Sequence, residues 1–350
     1  MKVIIGVDPH KSVNAVAAID EDGQLLGHEV FPANQAGLRK LERWAKRFSE
    51  RRWAVEGAAG IGRPAAQKLV GSGEEVVDVP PKLSAKVRVL SVGNARKNDR
   101  LDAIFTALAA LRNERLARVA SEDDADGARV EVLRLLTERR EDLVAERTRA
   151  LNRLHVLLRD LLSDGARRGL SADAAAKLLR RARPDHAAGR TRKRLASELV
   201  RDVRALDRKV ASLDERIRDE VEASGTALTE VFGVGPILAA KIFGIVGDVS
   251  RFPSKAHFAS YAGVAPIEAS SGEVVRHRVS LAGNRRLNKV VHMVAVCQAR
   301  SDPRGRTYYL KKLEEGKSHR EAIRCLKRRI SDAVFRALVA DLELASWAMA

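Results

Sequence analysis

Along the first third of the chain, short apolar runs alternate with amphipathic ones. Val3–Val7 and Ala15–Ile19 are apolar runs of β-branched and small residues, Asp20-Glu-Asp-Gly23 is a turn, and Leu25–Phe31 reads as a third strand. Leu38, Leu41, Trp44, Ala45 and Phe48 recur at helical spacing. Trp53–Val55 then reads as a short buried strand, Pro64–Val70 as a helix, and Glu75–Val79 as a strand stopped by Pro80-Pro81. An apolar helix opens at Lys97-Asn-Asp-Arg-Leu-Asp102. We expect residues 1–120 to form an α/β domain in the order strand, strand, strand, helix, strand, helix, strand, helix.

Beyond it the pattern changes. Residues 127–222 are rich in Arg and Leu and nearly free of strand signals. Leu199, Val203, Leu206, Val210, Leu213 and Ile217 are spaced alternately four and three apart, an a/d heptad seam with charged flanks. Leu136, Leu143, Ala150 and Leu157 repeat every seven residues. Between them Ser163–Arg192, with Gly165, Gly169, Pro184 and Gly189, reads as a tip or loop joining two long helices. The seam suits an intramolecular hairpin or a dimer interface; we expect a coiled coil that contributes to oligomerisation. Residues 225–350 read as a mostly helical third unit. Its segment Leu228–Ile242 fits a helix-hairpin-helix, with Gly233 and Gly235 at the turn and Pro236 opening the next helix.

Charge narrows the class of partner. The chain carries a formal +18, and the surplus is concentrated. Arg276–Ile330 holds 16 Lys/Arg against 4 Asp/Glu. A polyanion is the expected partner, bound by phosphate neutralisation. Aromatics make up only 4%, which argues against base stacking as the main binding mode. Cys297 and Cys325 fall in helical apolar patterns, fitting two buried thiols in a reducing cytoplasm and no metal-binding cysteine spacing. The chain opens straight into a strand, so we expect no signal peptide, and the longest apolar stretch, Ile237–Val246, is too short for a membrane span and contains Lys241.

Four acids occupy positions where chemistry is expected. Asp8 closes the first apolar strand, Glu56 closes Trp53-Ala-Val-Glu56, and Asp99 and Asp102 lie one turn apart at the head of a helix. Converging carboxylates repel unless a cation holds them, and hard oxygen ligands suit Mg²⁺ or Mn²⁺. Read singly, Asp99 can be a helix N-cap and Asp102 a first-turn acid favoured by the helix dipole. Lys11 and Lys97 flank the acids and can hold a phosphate. The amides at Gly233 and Gly235 can do the same. A second constellation runs Tyr261-Ala-Gly-Val-Ala-Pro-Ile-Glu-Ala-Ser-Ser-Gly272, followed by Arg276, His277, Arg278 and Gly283-Asn-Arg285-Arg286. Ser271 is a candidate nucleophile at phosphorus, and the neighbouring arginines can neutralise charge.

The element order of the first domain is that of a ribonuclease H-like domain. Gly6-Val-Asp8-Pro-His-Lys11, Val55-Glu56-Gly57 and Lys97-Asn-Asp99-Arg-Leu-Asp102, with Phe258–Pro266, Ser270-Ser271-Gly272 and Gly283-Asn284, together resemble the DEDD-type insertion-sequence transposases of the "one-ten" and "eleven-eleven" groups. The resemblance implies a RuvC-like nuclease domain in which Asp8, Glu56, Asp99 and Asp102 bind Mg²⁺. It implies a nucleophilic serine, Ser271 or its neighbour Ser270, that forms a covalent phosphoserine link to DNA. It further implies dimers or tetramers whose active sites combine acids of one subunit with the serine of another, and a structured bridge RNA that pairs with donor and target DNA. Such a protein is expected in the bacterial cytoplasm, on the nucleoid. Ala58-Ala59-Gly60 departs from the family, many members of which carry a threonine there. The rival reading is a junction-specific, metal-dependent endonuclease that hydrolyses DNA without a serine.

Overall fold

The structure is a computed structural model that describes residues 2–90, 98–113, 116–122, 124–162, 169–268, 277–279 and 283–348. It divides into two compact units, residues 1–130 with 246–257, and residues 131–245 with 258–350.

The first unit is built on a six-stranded sheet. In chain order its elements are β1 (Val3–Pro9), β2 (Val13–Ile19), β3 (Leu25–Pro32), α1 (Gln35–Ala45), β4 (Arg51–Glu56), α2 (Arg63–Val70), β5 (Val76–Val79), α3 (Pro81–Leu90), α4 (Asp99–Leu111) and β6 (Ala117–Arg118). The spatial order is β3-β2-β1-β4-β5-β6. β1, β2 and β3 are antiparallel neighbours, whereas β4 pairs parallel with β1 and β5 parallel with β4. This is the arrangement expected of a ribonuclease H-like domain, with β1 central and Asp8 and Glu56 at adjacent strand ends. Two elements were not legible beforehand. Pro81 does end the strand, but it also starts α3, because proline at a first helical position loses no bond. β6 is only two residues long.

Alternation along the strands assigns the faces. Val3, Ile5 and Val7 pack with Leu41, Trp53, Val55 and Leu69 on the α1/α2 side. Ile4, Ala54 and Val77 pack with Ala107 and Ala110 of α4 on the other. Gly6 and Asp8 share the parity of Ile4, and Glu56 that of Ala54, so both acids are directed to the α4 side. That side is lined with small residues. A Cβ on Gly6 would stand 2.2 Å from the Ala103 carbonyl oxygen and 2.6 Å from the Ala107 nitrogen, so only glycine lets α4 lie this close to β1.

The second unit contains α5 (Ala125–Leu161, which begins in the first unit), α6 (Ala172–Arg181), α7 (Ala187–Ala223), α8 (Pro236–Val246), α9 (Lys255–Tyr261, mostly within this unit), β7 (Pro266–Glu268), β8 (His277–Val279), α10 (Arg285–Ser301), α11 (Pro303–Glu314) and α12 (His319–Ala348). Arg140 pairs with Asp214, Arg147 with Asp207, and Asp160 with Arg192, so α5 and α7 run antiparallel with a seven-residue step between the first two bridges. Exposed pairs of this kind each contribute at most about 1 kcal/mol; they fix register more than stability. Leu154, Leu158, Leu179, Ala196, Val200 and Val203, from α5, α6 and α7, form an apolar cluster at the α6 end of the pair. Of the two uses open to the heptads, the chain itself forms the intramolecular hairpin. The expected tip is not a plain loop, since it contains α6, capped by Ser171; Ser163 and Gly165 lie outside the described residues.

The helix-hairpin-helix expectation needs correction at its first helix. Residues Ala227–Glu230 make a single 3₁₀ turn capped by Thr226. The turn itself is as expected: Gly233 has φ +86°, reserved for glycine, and Pro236 begins α8. The thiols also differ from expectation, because Cys297 is exposed and Cys325 only half-buried. Among the described residues, no helix is long and apolar enough to cross a membrane.

Replacing Gly6 with alanine should push α4 off β1 by roughly 1 Å, the cost of restoring van der Waals separation. We expect a loss of about 1–3 kcal/mol in urea unfolding with an unchanged m-value. An unaltered midpoint would show that α4 is not pinned at this point.

Candidate functional site

The acid cluster follows from three local features. β1 delivers Asp8, 9% exposed, into the α4 side of the sheet. β4 delivers Glu56, after which Gly57 turns the chain sharply at φ +59° and donates its amide to the Val79 carbonyl at 3.0 Å. α4 delivers Asp99 and Asp102 from its first turn, and its N-cap is Asn98 rather than Asp99, the Asn98 side chain accepting from the Arg100 amide. Asp99 is thereby free of capping duty.

The structure brings Asp8 and Asp99 together with His10, while Glu56 and Asp102 stand near enough for their charges to act on Asp8. The Asp8 carboxyl is pushed up to about 6, chiefly by burial; the charges of Glu56, Asp102 and Asp99 push the same way, and His10 opposes them. His10, which the sequence reading passed over although it sits in the Asp8-Pro-His-Lys11 run, is the nearest group to two of the acids. Its Nε2 lies 3.1 Å from Asp8 Oδ2 and 3.5 Å from Asp99 Oδ1. That nitrogen is nevertheless buried without a hydrogen-bond partner. One donor atom from each of Asp8, His10 and Asp99 lies within 4.8 Å of the others. A nitrogen with no hydrogen bond, set between carboxylate oxygens, matches a ligand set waiting for a hard or borderline divalent cation. The residues therefore fit such an ion.

The remaining acids have protein partners. Arg88 of α3 donates to Asp102 Oδ1 at 3.1 Å. Ser84 Oγ donates to Glu56 Oε2 at 2.8 Å, and Thr106 Oγ1 lies 3.2 Å from the same oxygen. Behind Glu56, Asp78 accepts the Ala58 amide at 2.7 Å; burial raises its carboxyl, while the Ala58 bond and Arg251 oppose the rise. None of these supporting groups was identified from sequence. Ser84 and Arg88 belong to the unforeseen α3, and their helical spacing of four residues is the signal that could have paired them. Lys11 is exposed beside the cluster, and Lys97 lies outside the described residues.

The second constellation is a frame in the second unit. β7 and β8 pair antiparallel, Glu268 opposite His277, and residues 269–276 lie between them in the chain. Ser270, Ser271 and Arg276 fall there, outside the described residues, and Arg278 lies on β8. The roots of the hairpin are tied firmly. Asn284 donates its backbone amide to the Tyr261 carbonyl and its side-chain amide to the Tyr261 hydroxyl, while capping α10. Asn288 donates to the carbonyls of Ala262 and Gly263 and accepts from buried Lys327 at 2.7 Å. Burial lowers the Lys327 ammonium below its ordinary range, and Arg324 adds to the effect. A Cβ on Gly283 would meet the Gly263 Cα at 2.3 Å, so the two glycines let the roots touch. Arg285 is exposed, whereas Arg286 pairs with Glu138 at 3.0 Å and Glu141 at 3.8 Å. Gly235 is exposed, and Gly233 packs toward Cys297.

Comparison with known proteins places this geometry. Residues 5–162 match a family model for transposases of the DEDD IS110 type, and residues 225–310 match the transposase family IS116/IS110/IS902. The chain belongs to this family of insertion-sequence transposases. Its N-terminal match spans the acid cluster, and its C-terminal match spans the hairpin frame. The IS110-family transposase is an enzyme that cuts and rejoins DNA. Among its relatives, it is 29% identical to the insertion element IS116 44.8 kDa protein of Streptomyces clavuligerus, over 96% of this chain and 94% of that one. It is 29% identical to the IS110 43.6 kDa protein of Streptomyces coelicolor, over 94% and 92%. It is also 27% identical to the IS900 42 kDa protein of Mycobacterium paratuberculosis, over 93% and 92%. Among solved structures, RuvC of T. thermophilus in complex with a Holliday junction substrate aligns at 16% identity and a TM-score of 0.28, covering 34% of this chain and 99% of that one.

The raised Asp8 carboxyl makes the cation-free transposase pH-sensitive. Because the folded state binds this proton more tightly than the unfolded chain, the stabilisation is complete below about pH 4 and is lost as pH rises through about 6. The difference should be roughly 2–3 kcal/mol. In chelator, wild type should lose that much more stability than Asp8→Asn between pH 4 and pH 7, and divalent cation should restore it at pH 7. Parallel urea-unfolding profiles for the two proteins would contradict this origin.

Proposed function

We propose that this transposase excises and inserts its element through a cation held by Asp8, Glu56, Asp99 and Asp102, with His10 beside them, and through a serine nucleophile on the β7–β8 connection. The observation that carries this reading is the cluster of Asp8, His10 and Asp99 at one end of the sheet, with the charges of Glu56 and Asp102 acting on Asp8. Oxygen-rich donors favour Mg²⁺, and the imidazole makes Mn²⁺ an equally good occupant. Such a cation, when bound, offsets charge on a scissile phosphate and favours attack on it.

The chain's own residues would do the rest. The oxygen of Ser271, or of Ser270, forms a bond to phosphorus as the bond from phosphorus to the leaving sugar oxygen breaks. The proton lost by the serine balances the one gained by that sugar oxygen. Rejoining is the reverse step, with a sugar hydroxyl of another strand displacing the serine. Arg276, Arg278 and Arg285 are placed in sequence to neutralise the phosphate. The tied roots at Tyr261, Asn284 and Asn288 favour a loop with a fixed base, which positioning of a nucleophile requires. Lys11, Lys97 and the amides near Gly233 and Gly235 would contact backbone phosphates of donor and target DNA. Arg286 is less available, since its glutamate pairs must open first.

The acids and the serine loop sit in different compact units, which is compatible with an active site completed between subunits of a dimer or tetramer. Guidance by a structured bridge RNA is supported by the +18 charge and the scarcity of aromatics: such a surface holds duplexes by backbone and shape and leaves sequence reading to base pairing.

A supercoiled donor–target plasmid assay separates the steps. Asp8→Ala should abolish cutting, and either Ser271→Ala or Ser270→Ala should abolish strand joining and the covalent protein–DNA species. If both serine variants still recombine, the serine mechanism is wrong; if both still cut but only hydrolytically, the junction-endonuclease reading stands instead.

A further inference from the structure

Helix α3 packs against α4 with an unusual residue inward. Of its residues from Pro81 to Val89, Ser84 alone is buried, at 5% exposure, while Leu83, Val87 and Val89 are half-buried or exposed. Leu83 and Val87 pack partly buried against the apolar core, so the aliphatic contact of α3 is made without Ser84. A buried hydroxyl is tolerated where it is bonded. Ser84 has two acceptors in reach, its own helix carbonyl at Pro81, 3.2 Å away, and Glu56 Oε2 at 2.8 Å. Having one proton, it gives it mainly to the nearer, charged acceptor.

Thr106 mirrors this from α4. It is fully buried, and its hydroxyl lies 2.9 Å from the Asp102 carbonyl and 3.2 Å from Glu56 Oε2. Its proton therefore resides mainly on the Asp102 carbonyl, which bonds it to the turn of α4 that carries two acids. The two hydroxyls approach one oxygen of Glu56, Oε2, from two helices. Arg88, one turn after Ser84, holds Asp102 from the same helix.

We infer that Ser84 is a positioning residue for Glu56, with Thr106 as a weaker second tie that links Glu56 to the helix bearing Asp99 and Asp102. This rests on the reading of Glu56 as a cation ligand. Groups that orient ligands typically change cation affinity 10–100-fold when removed. The arrangement also assigns α3 a purpose: it carries Ser84 and Arg88 to two of the four acids, one residue for each.

The test uses the full-length protein and Mn²⁺ titrated against the electron paramagnetic resonance signal of the free ion. Ser84→Ala should weaken Mn²⁺ binding about 10-fold or more, Thr106→Val should weaken it less, and Thr106→Ser should retain wild-type affinity. The melting temperatures of all three in chelator should stay close to wild type. In cleavage, Ser84→Ala should need correspondingly more Mn²⁺ for half-maximal rate and reach the wild-type rate at saturation. Ser84→Ala with unchanged Mn²⁺ affinity, or with lowered melting temperature as its only defect, overturns the inference and makes Ser84 a packing residue. Should Ser84→Ala fail to fold, Thr106→Val against Thr106→Ser decides, equal affinities overturning the inference. If wild type itself binds no Mn²⁺, the cation reading of the site falls and this inference with it.

Discussion

The close approach of α4 to β1 at Gly6 governs the first unit. A helix lying on a sheet normally keeps a side chain's width between backbones. Here the Gly6 position removes that width, and Ala103 and Ala107 supply small surfaces opposite. Asp8 is two residues further along the same face of β1, so it emerges beside the first turn of α4. Asp99 and Asp102 are fixed in that turn by the Asn98 cap. One missing methyl thus determines where three of the four acids meet, and the parallel pairing of β4 with β1 brings the fourth.

Electrostatics works against this packing. Burial and three neighbouring carboxylates lift Asp8 to about 6, well above the ordinary carboxylate range. The apolar contacts on both sheet faces must carry that cost, which is why the cluster sits at strand ends, where core ends and solvent begins. The protein counters it locally with neutral donors. Ser84 and Thr106 reach Glu56 without adding a full positive charge, while Arg88 reaches only Asp102. Neutral hydroxyls orient a carboxylate yet leave its charge available, which a cation site needs and a salt bridge would diminish.

How much of this could be read from the sequence depended on the range of the determining contact. The strands, the α4 start and the four acids were legible because each rests on local periodicity or on a residue at the end of an apolar run. What escaped rests on contacts between distant segments. Ser84 reads as an ordinary helix or turn residue until α3 is placed 28 residues from Glu56 in sequence yet against it in space. Pro80-Pro81 looked only like a stop, since a proline both ends strands and begins helices. His10 lay inside a quoted motif, but a histidine after proline carries no sign of its partners. The heptad seam in α7 was legible, and the bridges from Arg140 and Arg147 show that α7 pairs with α5 within the chain.

The C-terminal frame poses the same physical problem in another form. The segments that flank β7 and β8 have to be held at fixed roots. Tyr261, Asn284 and Asn288 fix the roots through hydrogen bonds whose partners are backbone carbonyls and one phenol, so no exposed charge is spent there. Lys327 is the exception, buried against Asn288 with its ammonium depressed. Removing its partner would leave a buried charge, a more damaging change than removing a neutral amide. Asn288 is therefore the member of the network least free to vary: it satisfies two carbonyls on one side and an ammonium on the other. Aspartate there would match the ammonium but could not donate to the carbonyls of Ala262 and Gly263. An amide, with donor and acceptor on one short side chain, is the group that meets all three demands.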